Sequence, residues 1–138
     1  MANTQLEKKD ISGGFHLHVH CLINGREATL IVDTGASHTI LCKEAVKKYV
    51  NMEMLQDNPL PSTGVGGISY DTSLVKLTSL QIASVKDFSI EVAVIDISHV
   101  QESYKEAGNF PIDGILGCDY LVKHKCIIDL SKLKMKLL

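Results

Sequence analysis

Neither sign of charge dominates this sequence: 14 lysines and arginines stand against 16 aspartates and glutamates. No basic field argues for nucleic acid, and there is no acidic tail. The Lys132, Lys134, Lys136 alternation is short and reads as the solvated face of a strand. Long apolar runs are missing too. None approaches the roughly 20 residues that a membrane span requires. The polar stretch from Met1 to Asp10 has no apolar centre of the kind a secretory signal carries. Cysteine is sparse, and Cys21, Cys42, Cys118 and Cys126 fall in no CxxC spacing. Flanked by apolar residues, they are expected as reduced, partly buried thiols, Cys42 and Cys118 in the core, which suits a cytoplasmic protein. Internal repeats and low-complexity linkers are also absent.

What is present suffices for one self-supporting core. With 45% apolar residues in 138, a single domain can fold without disulfides or a metal. Residues 1–12 are expected as a flexible lead-in and 13–138 as the folded domain. From Phe15 the pattern is β: His16, His18 and His20 alternate with Leu17, Val19 and Cys21. Asn24-Gly25 then signals a tight hairpin, because both residues accept positive φ. The return strand, Arg26 to Val32, ends in an apolar run without alternation, as a strand buried on both faces does. Helices are expected at Lys43–Val50, with Ala45, Val46, Tyr49 and Val50 on one face, and at Leu116–Lys123. A third should open at a Ser98-x-x-Gln101 capping box and stop at Gly108. Further strands are expected at Thr72–Ala83, Phe88–Ile97, Ile112–Leu116, Cys126–Leu130 and Leu133–Leu138. The fold class is therefore mostly β.

The decisive feature is Asp33-Thr34-Gly35, delivered by the apolar run Leu30-Ile31-Val32 and followed by Ala36-Ser37. Ile115-Leu116-Gly117 lies downstream. Together they resemble the aspartic protease superfamily, in its single-domain, retropepsin-like branch, over roughly Phe15 to Leu138. With one such motif and half the length of a two-lobed pepsin, one chain would be half an enzyme. The resemblance implies an acid protease half-barrel with one or two short helices, active as a homodimer, with no cofactor and no metal. It further implies peptide or protein substrates and neither nucleic acid nor membrane as partner.

The implied chemistry needs no nucleophilic side chain. Two carboxylates held close cannot both ionise comfortably, so they share a proton and titrate as a pair. In a dimer, Asp33 of each chain would meet across the two-fold axis, one activating water and the other donating to the substrate carbonyl. Gly35 permits the tight turn. By resemblance, Thr34 braces the pair across the axis, and the Ile115-Leu116-Gly117 element packs beneath the turn. Ala36 stands where pepsin-like members commonly have a carboxylate-bonding Ser. Losing that bond should raise the pair's pKa, so activity is expected nearer neutral pH. Ser62 to Ile68, with Gly64, Val65, Gly66, Gly67 and Ile68, fits the flap that closes over an extended peptide. The chain departs from retroviral members in having Ser37-His38 after the motif, and in extra length around Lys43–Asn58 and Ser98–Phe110.

Other residues invite weaker readings. Imidazoles at His16, His18 and His20 share a strand face and suit zinc or copper, but no matching Cys or His pair lies downstream, and solvent-facing histidines are expected. His38 reads as a surface residue near the active-site rim, His99 and His124 as helix-surface residues. Asp113-Gly114 suggests an intrachain partner for Asp33, yet a turn-forming Asp-Gly is the commoner meaning. Asp119 and Asp129 have no local partner and read as structural or exposed. The competing function keeps the fold without chemistry: a catalytically silent dimerisation or peptide-binding module.

Overall fold

A computed structural model describes residues 1–11, 13–57, 62–63, 69–70, 72–108 and 111–138. The strands are β1 (Ala2–Ile11), β2 (Gly14–Ile23), β3 (Arg26–Val32), β4 (Ile40–Cys42), β5 (Gln56–Asp57) and β6 (Ser62–Thr63). They continue as β7 (Ser69–Tyr70), β8 (Thr72–Ile82), β9 (Val85–Ile95), β10 (Gly114–Leu116), β11 (Ile127–Asp129) and β12 (Lys134–Leu137). Among the described residues, three α-helices, α1 (Lys43–Val46), α2 (Ser98–Ala107) and α3 (Cys118–Lys123), and one 3-10 turn, Met52–Met54, interrupt them.

Strand order closes a barrel. The sequence of neighbours β2-β3-β10-β4-β9-β8 returns to β2 through Leu22↔Gln81 and Ile23↔Leu80. Closure hides the strand edges that would otherwise be open to association. Inside sit Val19, Ile23, Leu30, Leu41, Leu77 and Leu116, each at most 1% exposed. The Asn24-Gly25 turn sets the first hairpin as expected, with φ of 51° and 80°. Asn24 also clamps the barrel: its backbone N–H donates to Ser79 O, and its Nδ2 donates to Tyr49 O.

The amino-terminal segment departs from expectation. Residues 1–12 were expected as a lead-in, but Ala2–Ile11 forms β1. It pairs with β12 over Ala2–Gln5 and with β2 over Leu6–Ile11. The physical reason is Leu6 and Ile11, apolar anchors buried among otherwise alternating polar residues. Such sparse anchors leave a strand that looks polar in isolation.

Helix boundaries shift for similarly concrete reasons. α1 is shorter than Lys43–Val50, yet Ala45, Val46 and Tyr49 are buried as their spacing required. Gln101 N–H donates to Ile97 O, so Ile97 and not Ser98 takes the capping position just before α2. Asp96 Oδ1 accepts the Ser98 N–H there. Gly108, at φ 144°, ends the helix. In β12, Lys134 is exposed between the buried Met135 and the solvent, as the lysine alternation suggested.

Candidate active site

β3 carries Leu30, Ile31 and Val32 through the barrel wall, paired in parallel with Gly114, Ile115 and Leu116 of β10. The chain then leaves the wall at Asp33, whose N–H donates to Leu116 O at 3.1 Å. Ala36 N–H returns to Asp33 O at 3.2 Å, closing a tight turn. Gly35 N–H donates to Asp33 Oδ1 at 2.8 Å. A backbone donor aimed at one carboxylate oxygen fixes the orientation of the side chain. A Cβ on Gly35 would stand 3.2 Å from the same oxygen, so glycine lets the turn close this tightly. Asp33 and Ala36 are half-buried, while Thr34 and Gly35 are exposed.

Beneath the turn lies Ile115-Leu116-Gly117. Cys118 N–H donates to Ala36 O at 2.8 Å and Asp119 N–H to Ser37 O at 3.2 Å. Gly117 is required here: a Cβ would come 2.5 Å from His38 C and 2.6 Å from His38 O. Cys118 was expected in the core, but it is half-buried and its thiol donates to Thr34 O at 3.0 Å. Cys21 and Cys42 are core residues, their thiols pushed up to about 12 by burial first and then by Asp113. Burial also raises Cys126.

Asp119 has a partner that local sequence does not reveal. Thr39, 80 residues away in sequence, donates its hydroxyl to Asp119 Oδ1 at 2.8 Å and its N–H to both carboxylate oxygens. Asp129 is also partnered, accepting from the Ser131 and Lys132 N–H groups.

Asp113 is neither a turn residue nor a partner for Asp33. It is buried, accepts the Thr29 N–H at 2.9 Å and pairs with Lys48 Nζ at 3.0 Å. Thr29 and Asp33 are four strand residues apart, roughly 13 Å, too far for two carboxylates to share a proton. A cavity of about 600 Å³ opens beside Asp113, lined also by His20, Glu27, Tyr49 and Gln81.

Two histidines contradict their surface assignment. His18 is 1% exposed, where burial first, then Lys9 and His16, pushes it down to about 4. His20 on the same face is exposed and pairs with Glu7. Hydrogen bonding to His20, then to Lys9, holds the Glu7 carboxyl below the usual range. Among the described residues, no group of three or more His, Cys, Asp or Glu is arranged to hold a metal. His124 is also buried, with Nε2 2.8 Å from Asp87 Oδ2 and Nδ1 3.0 Å from Leu138 O. His38 is exposed beside the turn, as expected. The His99 side chain lies outside the described residues.

Of the expected flap, Ser62 to Ile68, only Ser62 and Thr63 are among the described residues. β6 and β7 pair antiparallel through Ser62↔Tyr70 and Thr63↔Ser69. Gly64, Val65, Gly66, Gly67 and Ile68 lie outside the described residues. No helix of the described residues is long and apolar enough to cross a membrane.

A closed barrel presenting Asp-Thr-Gly on the loop after one strand, with Ile-Leu-Gly wedged beneath it, defines the retropepsin-like class. Residues 19–120 match the aspartyl protease family model, and the chain belongs to that family. Among curated relatives, human Protein DDI1 homolog 1 is 31% identical over 117 residues, covering 84% of this chain and 26% of the relative. Mouse Protein DDI1 homolog 2 is likewise 31% identical over 117 residues. The chain thus spans about a quarter of the length of these relatives, 26% in each. The retroviral protease-like domain of Ddi1 from Leishmania major shares the fold at a TM-score of 0.62 and 23% identity, covering 88% of this chain and 87% of that one. A retropepsin-like aspartic protease from Rickettsia conorii does so at 0.59 and 20%, covering 98% and 86%.

Proposed function

We propose that this chain is an aspartic endopeptidase whose site is completed by a second copy of itself. The observation that carries the reading is the Asp33 carboxylate, oriented by the Gly35 N–H on an accessible turn, in a chain holding one such motif. Symmetry would bring two Asp33 side chains together, since a two-fold contact places the same residue on both sides. One ionised carboxylate takes a proton from water, and the oxygen attacks the peptide carbonyl carbon. The protonated partner gives its proton to the carbonyl oxygen, forming a neutral diol. Collapse of that diol breaks the C–N bond as the proton first taken passes to the leaving nitrogen. The hydroxyl proton returns to the other carboxylate, restoring the pair.

Thr34, exposed next to Asp33, would brace the partner's turn. The antiparallel β6/β7 pairing supports a flap, which would hold substrate as an added strand. Ala36, lacking a hydroxyl, supports a pair that titrates higher than in pepsin-like enzymes and an activity that extends toward neutral pH. Four free cysteines suit a reducing compartment such as the cytoplasm.

The test is cleavage of a diverse peptide pool by wild type and Asp33→Asn from acid to neutral pH. Cuts present in wild type and missing in the variant are expected. An uncut pool at every pH would sink the protease reading and leave a silent binding or dimerisation module.

A further inference from the structure

The connection from β3 to β4 is residues 33–39, and it is fastened to residues 116–119 nearly throughout its length. Asp33 donates to Leu116, the Cys118 thiol donates to Thr34, and Ala36 and Ser37 accept from Cys118 and Asp119. The far end of the loop is held by Thr39, which is 4% exposed. A hydroxyl has one proton. Thr39 Oγ1 gives it to Asp119 Oδ1 at 2.8 Å, so its lone pair faces the Gly117 N–H, which donates to it at 3.1 Å. Asp119 Oδ1 also accepts from Tyr120 N–H at 2.8 Å, and Thr39 N–H is shared by Oδ1 at 2.9 Å and Oδ2 at 3.0 Å. The carboxylate thus fixes the direction of a relay, Gly117 N–H to Thr39 hydroxyl to Asp119, that joins the end of the Asp33 loop to the strand beneath it.

We propose that Asp119 is a positioning residue for Asp33, acting through the Thr39 hydroxyl; the proposal rests on the aspartic protease reading above. Every one of these donors is a backbone N–H or a hydroxyl, so the carboxylate spends its acceptor capacity on loop geometry. Without it, Thr39 Oγ1 has no acceptor to orient its proton and Gly117 N–H loses a directed partner. An amide is a poor replacement. One of the two oxygens receiving Thr39 N–H becomes an NH₂ group, which sets a donor against a donor. The loop end is then free to drift, and Asp33 sits on that loop. Misplacement of a reacting group by about 1 Å lowers turnover by roughly 100-fold without requiring a change in substrate affinity.

The experiment compares Asp119→Asn, Thr39→Val and Thr39→Ser on a peptide that wild type cleaves, with backbone amide exchange recorded on each protein. Asp119→Asn and Thr39→Val should each lower kcat by about 10- to 100-fold with KM nearly unchanged. Thr39→Ser, which keeps the hydroxyl, should restore kcat to near wild type. Because the two residues act as one unit, the Asp119→Asn, Thr39→Val double variant should be little worse than either single one. Exchange at Gly117 should quicken in Asp119→Asn while that of the barrel residues Leu30 and Leu77 stays slow. The proposal is overturned if Asp119→Asn turns over like wild type, if Thr39→Ser fails as badly as Thr39→Val, or if KM rises while kcat holds. A wild type that cleaves nothing removes the protease reading, and a Gly117 amide unmoved by Asp119→Asn separately removes the relay.

Discussion

Gly114 and Gly117 leave no room for a methyl group, and the obstacle in each case is backbone. A Cβ on Gly114 would stand 2.1 Å from Ile40 O, and one on Gly117 2.6 Å from His38 O. Overpacking of this kind costs about 1–3 kcal/mol where side chains can yield; here the peptide planes beside Asp33 would have to move. Gly117→Ala should lower unfolding free energy by about 3 kcal/mol, read from denaturant melts, with loss of cleavage. A midpoint equal to wild type would show that β10 is not packed as described. The two glycines differed in legibility. Gly117 was marked by the apolar pair before it, whereas Asp113-Gly114 reads equally well as a turn. The same holds for His18: period-two alternation put it on one face with His16 and His20, but alternation gives direction and not depth. Its ordinary pKa near 6.5 falls to about 4 in the fold. The unfolded chain therefore binds the proton more readily between those values. The stabilisation is complete above about pH 6.5 and is lost as pH falls to about 4, a change of about 3 kcal/mol. Urea melts across that window should show the slope in wild type, and His18→Gln should flatten it. An unchanged slope in the variant would place the titrating group elsewhere.

Elements far apart in sequence do most of what local pattern could not foresee. β1 looked like a lead-in because its two anchors are separated by polar residues. Its register is set by β12 at one end and β2 at the other. Leu6 N–H also donates to Leu133 O at 2.8 Å, and the Leu6 side chain is 1% exposed. Leu6→Ala should cost about 3 kcal/mol, within the usual 2–5 for a buried leucine. A flexible lead-in would make the substitution silent in thermal or urea melts, so the outcomes separate cleanly. His124 was misjudged for the same reason. Its acceptors, Asp87 on β9 and Leu138 beyond β12, are brought to α3 only by the closed fold. By contrast, the Asn24-Gly25 hairpin, the apolar strand into Asp33 and the glycine after Leu116 carry their geometry in adjacent residues. They were legible because no distant partner is needed to specify them. That is why the Asp33 turn could be placed from sequence while the Thr39–Asp119 clamp behind it could not.

At the scale of the whole molecule, one chain presents one Asp-Thr-Gly carboxylate, and two effects bound the working pH on its acid side. His18 removes stability in acid, and in the proposed dimer Ala36 would let a shared proton be retained toward neutrality. Both press an enzyme built on this chain away from strong acid. The proposed second copy can be tested without knowing the dimer surface. If each active unit needs Asp33 from two chains, Asp33→Asn protein will capture wild-type chains in mixed pairs that hold one carboxylate and one amide. Such pairs lack the ionised and protonated partners together. With equal amounts of the two proteins and free exchange, the wild-type activity should fall to about half, and further as the variant is added in excess. The mixture must be held long enough for subunits to exchange, and dilution beforehand speeds this by favouring single chains. A control carrying Leu6→Ala together with Asp33→Asn, destabilised so that it competes poorly for partners, should inhibit less. Wild-type activity indifferent to any excess of Asp33→Asn would mean that the site is complete within one chain, and the shared-dyad mechanism would be wrong.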